Sequence, residues 1–224
     1  MRHAIARPVC VSLASVLLLV AAAGGCTLLP SPRDTARNTF VLHPEPAAPA
    51  AASVPCGRRD ATLLVNVPRE EPGFDTPRMA YLLRPDILAY YADSRWVDTP
   101  ARMMAPLLVQ AMEESGCWRA VVRAPNATDA DFRLDTEDLV LEQEFFHRPS
   151  RVRLAIRAVL VDTRRQSVVG TRRFEALEDA PAEDAFGGAN AANRAAGRIL
   201  PALAEWAGNV VPADRARPVP PAGP

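Results

Sequence analysis

Few side chains in this sequence have a type and spacing that could support catalysis or metal binding. The histidines stand at positions 3, 43 and 147, and no histidine, cysteine and carboxylate residues have the spacing of a zinc or iron site. The chain contains no lysine, no glycine-rich phosphate loop and no G-x-S-x-G nucleophile elbow. These features predict a protein that is not an enzyme and that uses no cofactor or metal.

Four carboxylates on one predicted strand are the best candidates for paired acid and base groups: Asp135, Glu137, Glu142 and Glu144. Three arginines share one face of the next predicted strand: Arg151, Arg153 and Arg157. A turn at residues 147–150 would place Glu144 opposite Arg153 and Phe146 opposite Arg151. Opposite charges that face each other across two strands stabilise a sheet. We therefore interpret the carboxylates as ion-pair partners and not as catalytic groups.

Two of the four cysteines are candidates for a disulfide. Cys10 and Cys26 belong to the first 26 residues, whereas Cys56 and Cys117 each stand just before a predicted strand. If these two strands are parallel neighbours, with a helix leading into the second, their starting ends meet. We predict a bridge between Cys56 and Cys117, because disulfides persist in an oxidising compartment. Two free, buried thiols are the alternative.

The N-terminus has the organisation of a secretory leader. Arg2 and Arg7 precede an uncharged, mostly apolar run over residues 11–23, which is shorter than the roughly 20 residues of a membrane-spanning helix. The letters AGGC, which end at Cys26, resemble a bacterial lipobox. This predicts a signal peptide over residues 1–25 and lipidation of Cys26. Ordinary signal-peptidase cleavage in the preceding alanine run, which would leave a free thiol, is the alternative.

The charge balance argues against a nucleic-acid surface. The chain has 26 basic and 26 acidic residues, and loss of Arg2 and Arg7 with the leader would make the mature protein slightly acidic. Domains that bind nucleic acid need a basic excess. We expect no nucleic-acid partner, and attachment to a membrane through lipid on Cys26.

The periodicity of the remaining chain predicts an α/β (α+β) fold. We expect a single domain with a mixed or antiparallel sheet of about six or seven strands, packed with two main helices. The candidate strands are residues 39–42, 61–67, 79–83, 87–96, 118–122, 132–146, 151–162 and 167–177. The strand over residues 132–146 changes the phase of its apolar positions near Asp138, which predicts a bulge there.

Two helices follow from capping and apolar spacing. Thr99 and Pro100 are typical of a helix start, and Gly116 of its end. A second, alanine-rich helix is expected over residues 182–208, with Phe186 among its packing residues. Pro106 should kink the first helix, and Pro201 should kink or divide the second, because a proline removes a backbone hydrogen bond.

Composition divides the chain around this domain. Residues 26–37 are predicted to be a tether between the lipid and the domain, which covers residues 38–210. A proline- and alanine-rich loop interrupts the domain at residues 44–57. Residues 211–224 have the composition of a disordered tail.

A set of short motifs between residues 78 and 122 resembles the ABC-type transport auxiliary lipoprotein family, the PqiC-like lipoproteins. The matching residues are Arg78-Met79-Ala80-Tyr81, Tyr90-Tyr91, Ser94-Arg95-Trp96, Pro100, Leu107, Met112 and Ser115-Gly116. The short first strand and the closing helix with Trp206 extend the resemblance to about residues 38–208. Within the motif we select five residues as a partner-binding or structural set: Arg78, Tyr81, Tyr91, Arg95 and Trp96.

The resemblance implies a role in envelope transport. Such a lipoprotein would assist an ABC ATPase, a permease and an MCE-domain protein that move phospholipids or other hydrophobic molecules between the inner and outer membranes. Thr27, rather than aspartate, after Cys26 favours the periplasmic face of the outer membrane over the inner membrane. A homo-oligomer is compatible with this role. A structural or assembly lipoprotein of another outer-membrane complex is the alternative.

Lipidation of Cys26 is directly testable. Cys26→Ser is expected to release the protein from membranes or to leave an unprocessed precursor, because the acyl chains provide the anchor. Metabolic labelling with palmitate, followed by membrane fractionation, measures both effects. Unchanged palmitate incorporation in the variant would exclude Cys26 as the lipid site.

Overall fold

Eight strands and two helices form the part of the chain that a computed structural model describes, residues 38–44 and 56–211. The strands are β1 (Asn38–Phe40), β2 (Arg59–Val65), β3 (Arg78–Leu82), β4 (Leu88–Trp96), β5 (Trp118–Arg123), β6 (Phe132–Glu144), β7 (Arg151–Asp162) and β8 (Ser167–Asp179). The helices are α1 (Pro100–Glu114) and α2 (Ala185–Asn209). The predicted leader, Cys26, the tether, most of the proline- and alanine-rich loop and the tail from residue 212 lie outside the described residues.

The predicted fold class is confirmed: the eight strands form one mixed sheet, packed with two helices. The sheet has one strand more than the upper expectation of seven. All eight candidate strands are present, and the shortest, β1, has three residues and joins the sheet by parallel pairing with β4.

The long strand β6 organises the sheet. One edge of β6 pairs antiparallel with β7 along almost its whole length. The other edge pairs with two strands in succession, with β2 near its start and with β3 near its end, both parallel. The connecting segment also runs alongside β6, because Glu70 forms a bridge with Leu139. The sheet therefore divides into two arms on this side, β2–β5 and β3–β4–β1.

The predicted bulge in β6 is confirmed at Asp138. Its φ of 53° lies in the left-handed region, and the register with β7 shifts between Glu137 and Val140. Aspartate tolerates this conformation better than a β-branched residue would. The bulge turns both Leu139 and Leu141 towards the main core.

Ion pairs between β6 and β7 are present, but their predicted register is wrong by two residues. Glu144 pairs with Arg151, with Oε2 2.7 Å from Nε, and Glu142 pairs with Arg153, with Oε1 3.1 Å from Nη1. Phe146 has no partner on β7, because β6 ends at Glu144 and the turn is longer than expected. Burial raises the pKa of Glu142, and the guanidinium of Arg153 opposes that rise.

The two earlier carboxylates of β6 also have cationic partners. Glu137 contacts Arg157 on β7 at 3.4 Å and Arg69 at 2.6 Å. Asp135 stands opposite Val159 of β7 and not opposite an arginine of that strand, and it contacts Arg133 of its own strand at 3.0 Å. All four carboxylates are therefore held in ion pairs in the described structure.

Helix α1 begins and ends at the predicted residues. Thr99 accepts a hydrogen bond from the backbone N–H of Arg102, and Pro100 occupies the first turn, where it needs no partner. Gly116 follows the helix with a φ of 67°, a conformation that glycine adopts without a steric penalty. Pro106 is exposed, and α1 continues through it.

Both helices cover one face of the sheet. Met104, Leu108 and Met112 of α1 are fully buried, and α1 lies beside α2 and against β5. Small side chains bring α2 close to β7 and β8: Ala191, Ala192, Ala195 and Ala196. Helix α2 is not divided at Pro201, because the buried residues Leu200 and Leu203 hold both sides of it on the core.

The structure joins Cys56 to Cys117 by a disulfide. Their Cα atoms are 5.6 Å apart, which is within the usual range for a bridge. The expected parallel pairing of the two strands is present, with Arg59 of β2 opposite Trp118 of β5. The C-terminal end of α2 packs so closely on the bridge that a methyl group at Gly208 would overlap the sulfur of Cys117.

Removing the bridge should destabilise the domain. Because it closes a loop of 61 residues, Cys56→Ala/Cys117→Ala is expected to lose about 4 kcal/mol on the chain-entropy model. Urea unfolding of the mature protein measures this difference. Reduction should lower the midpoint of the parent and leave the double variant unchanged. Equal stability of the two proteins without reductant would contradict the prediction.

Candidate binding site

The motif residues of the sequence lie on the β3–β4 hairpin, whose second strand is irregular. Arg78 pairs with Arg95 and Ala80 pairs with Tyr90, so two steps along β3 correspond to five along β4. In a regular strand Tyr91 and Trp96, five positions apart, would point to opposite faces. The irregularity brings both side chains to the main core.

Arg78 lies on the outer face of the hairpin and has a structural role there. Its guanidinium sits over the ring of Tyr90, 4.1 Å from the centroid. The hydroxyl of Tyr90 donates a hydrogen bond of 2.8 Å to the carbonyl of Gly73. Together these contacts hold the segment before β3 against a second, smaller apolar cluster that includes Phe74 and Val140.

Tyr81 and Tyr91 form an aromatic and polar network on the helix side of the sheet. Their ring centroids are 5.0 Å apart. The hydroxyl of Tyr91 donates to Oε1 of Gln143 at 2.9 Å, and Nε2 of Gln143 donates to the hydroxyl of Ser150 at 2.9 Å. Burial raises the pKa of Tyr91, and the carboxylate of Asp184 raises it further, so this phenol remains a hydrogen-bond donor.

Trp96 connects β1 to the core. Its side chain is 3% exposed and meets the ring of Phe40 edge to face, with centroids 6.4 Å apart. The backbone N–H of Val97 donates to the carbonyl of Phe40 at 2.8 Å. Arg95 is half-buried and stands opposite Thr39 of β1 in the sheet register.

An open groove lies where the β1–β4 edge meets the start of α2. Its volume is about 490 Å³. It is lined by Asn38, Thr39, Phe40, Tyr91, Ser94, Asp184, Ala185 and Phe186. Asp184 caps α2 by accepting a hydrogen bond from the backbone N–H of Gly187 at 2.8 Å. We call this feature the β1–α2 groove.

The structure brings only one of the five selected motif residues, Tyr91, into the β1–α2 groove. Trp96 supports its β1 wall from within the core, whereas Arg78 lies on the other face of the sheet. Sequence reasoning missed Ser94 and Asp184 as lining residues. It was wrong about Phe186, which was expected to pack in the core and is 62% exposed.

The groove lining is chemically mixed. It combines aromatic rings with hydroxyl, amide and carboxylate groups, and it includes neither a histidine nor a cysteine. Its one serine, Ser94, is buried and has no imidazole beside it to act as a base. Within residues 38–44 and 56–211, no three metal-ligating side chains cluster. In the same part of the chain, neither helix has the apolar length that crossing a bilayer requires.

The fold is that of a single α+β domain, and comparison with known proteins assigns its family. A family model described as the ABC-type transport auxiliary lipoprotein component matches residues 40–204. The chain therefore belongs to this family, which is not an enzyme family. No curated protein matches the chain.

Solved structures share the fold. Protein XCC0632 from Xanthomonas campestris is 23% identical, with a TM-score of 0.65 over 77% of this chain and 94% of that one. An uncharacterised protein is 10% identical, with a TM-score of 0.55 over 75% of this chain and 95% of its own. These likenesses concern the fold alone.

Trp96 is expected to be essential for stability. Trp96→Ala should cost about 3–5 kcal/mol, because it leaves a large cavity beneath β1. The matched control is Val97→Ala at the next position, where the side chain is exposed and the cost should stay within about 0.5 kcal/mol. Thermal and urea unfolding of both variants measures the difference. Wild-type stability of Trp96→Ala would contradict a structural role.

Proposed function

We propose that the protein is a lipid-anchored periplasmic auxiliary lipoprotein of an ABC/MCE-type envelope transport system. In this role it supports the movement of phospholipids or other hydrophobic molecules between the inner and outer membranes. The observation that carries the proposal is the family match, which spans nearly the whole described domain from residue 40 to residue 204. The lipidation motif at Cys26 supports a protein held at a membrane.

The anchor is proposed to sit in the outer membrane, with the domain in the periplasm. Thr27 after the lipidated cysteine supports this location. The disulfide between Cys56 and Cys117 is consistent with an oxidising compartment such as the periplasm. The domain would then receive or dock the assembly that spans the space between the membranes.

The β1–α2 groove is the proposed contact with the MCE-domain protein. Phe186 exposes an aromatic ring beside a groove, and such residues are common hot spots of protein interfaces. Beside it, β1 is paired only with β4 among the described strands, so its other edge offers backbone groups to a partner. An acyl chain fits less well, because it would cover Asp184, Asn38 and Ser94 without satisfying them.

Affinity capture from solubilised envelopes tests the proposed function. Tagged protein should capture an MCE-domain protein together with the permease and the ATPase. Phe186→Ser should weaken this capture by about 2 kcal/mol, or more than tenfold in affinity, if the ring is a hot spot. Its thermal stability should stay unchanged, because the ring is exposed.

Val168→Ser is the matched control, since Val168 is an exposed apolar residue at the far end of the sheet. It should capture partners as the parent does. Capture of an outer-membrane complex without MCE, permease or ATPase components would contradict the transport role and favour the structural alternative. Equal capture by Phe186→Ser and the parent would exclude the groove as the contact.

A further inference from the structure

Two turns meet at one end of the sheet. Leu82, the last residue of β3, is opposite Glu144, the last residue of β6, and the two strands are parallel. The turn from β3 to β4 (residues 83–87) and the turn from β6 to β7 (residues 145–150) therefore project from the same end. We call this end the hairpin tip.

The hairpin tip exposes large apolar side chains. Leu83 is 59% exposed, Ile87 is 55% exposed and Phe146 is 37% exposed. Just behind them, the rings of Tyr81 and Phe145 pack edge to face with centroids 5.8 Å apart. This aromatic pair packs beneath the two turns and supports the exposed apolar side chains.

Two exposed arginines flank the apolar side chains of the hairpin tip. Arg84 and Arg148 are exposed, and neither forms an ion pair with any carboxylate of the described residues. Two exposed carboxylates oppose them: Asp86, in the same turn as Arg84, and Glu183, which accepts a hydrogen bond from the backbone N–H of Ser150 in the other turn. Apolar side chains flanked by arginines are the pattern of a surface that enters the headgroup region of an anionic bilayer.

The N-terminal end of β1 is directed towards the hairpin tip. Asn38 is opposite Ser94, and β1 runs parallel to β4, which begins at the tip with Leu88. Asn38 is therefore at the end of β1 that is nearer the tip. The six positions from Leu88 to Ser94 correspond to at most about 20 Å.

The tether is long enough to bring the lipid to the same end. Asn38 follows Cys26 by twelve positions, and the fully extended reach of that stretch is roughly 40 Å. This exceeds the distance from Asn38 to the tip. The anchor and the hairpin tip can therefore meet one membrane at the same time.

We propose that the hairpin tip is a second membrane contact, in which Leu83, Ile87 and Phe146 enter an anionic phospholipid surface and Arg84 and Arg148 bind its phosphates. The proposal rests on the lipid anchor at Cys26 that forms part of the proposed function. The lipid and the tip would then hold the domain in one orientation, with two contacts instead of one flexible tether. A single contact would leave the domain free to rotate.

Site-specific fluorescence of the lipidated protein in phosphatidylglycerol/phosphatidylcholine vesicles tests this orientation. Ile87→Cys places an environment-sensitive label at the tip, and Val168→Cys is the matched control, with 57% exposure at the opposite end of the sheet. With Cys26 acylated and Cys56 bonded to Cys117, the introduced thiol is the one that reacts. We expect the fluorescence emission of the label at position 87 to shift to shorter wavelength when the protein binds vesicles. Nitroxide-labelled lipid should quench this emission, and iodide in the water should not.

The label at position 168 should show none of these effects. Arg84→Glu/Arg148→Glu should abolish most of the lipid quenching at position 87 in anionic vesicles. If iodide quenches the label at position 87 and nitroxide lipid does not, the proposal is overturned. Shielding that appears only after envelope extract is added also overturns it, because that outcome marks a protein contact.

Failure of the transport role is distinguishable from failure of this proposal. The vesicles contain no transport partner, so loss of affinity capture leaves the fluorescence result intact. If Cys26 carries no lipid, the protein will not bind the vesicles at all. If only the tip contact is absent, the protein will bind the vesicles and its label at position 87 will remain in water.

Discussion

The shared strand β6 is the constraint on which the rest of the structure depends. β7 occupies one of its edges, and the other edge must serve both β2 and β3. Thirteen residues are long enough for both only because each partner takes a short part of that edge. The segment from Arg59 to Leu82 therefore follows β6 from one end to the other, and the sheet opens into two arms.

The two arms differ in how their outer strands are held. The β2–β5 arm is covered by α1 and held by the disulfide at Cys117, so it is the packed and covalently fixed part. The β3–β4–β1 arm ends in the three-residue strand β1, beside the start of α2. The β1–α2 groove exists because Trp96 holds β1 from the core side while Phe186 stays outside.

Helix α2 connects these regions through close contacts. At its start, any side chain at Gly188 would overlap the amide of Gln143, which is the partner of Tyr91. At its end, Gly208 lies on the disulfide. A bulkier residue at either position would push the helix away from the sheet. Glycine at both ends therefore allows α2 to pack closely against Gln143 and against the disulfide.

The sequence alone determined the elements and their order, because apolar period, caps and prolines act within a few residues. The family followed from the resemblance of the short motifs between residues 78 and 122. The bulge at Asp138 and the parallel neighbours behind Cys56 and Cys117 were also predictable, since each leaves a local trace in phase or spacing. The ion-pair register, the exposure of Phe186 and the groove were decided by tertiary structure. Each depends on where β6 stops or on which face an irregular β4 presents, and these result from the packing of distant segments.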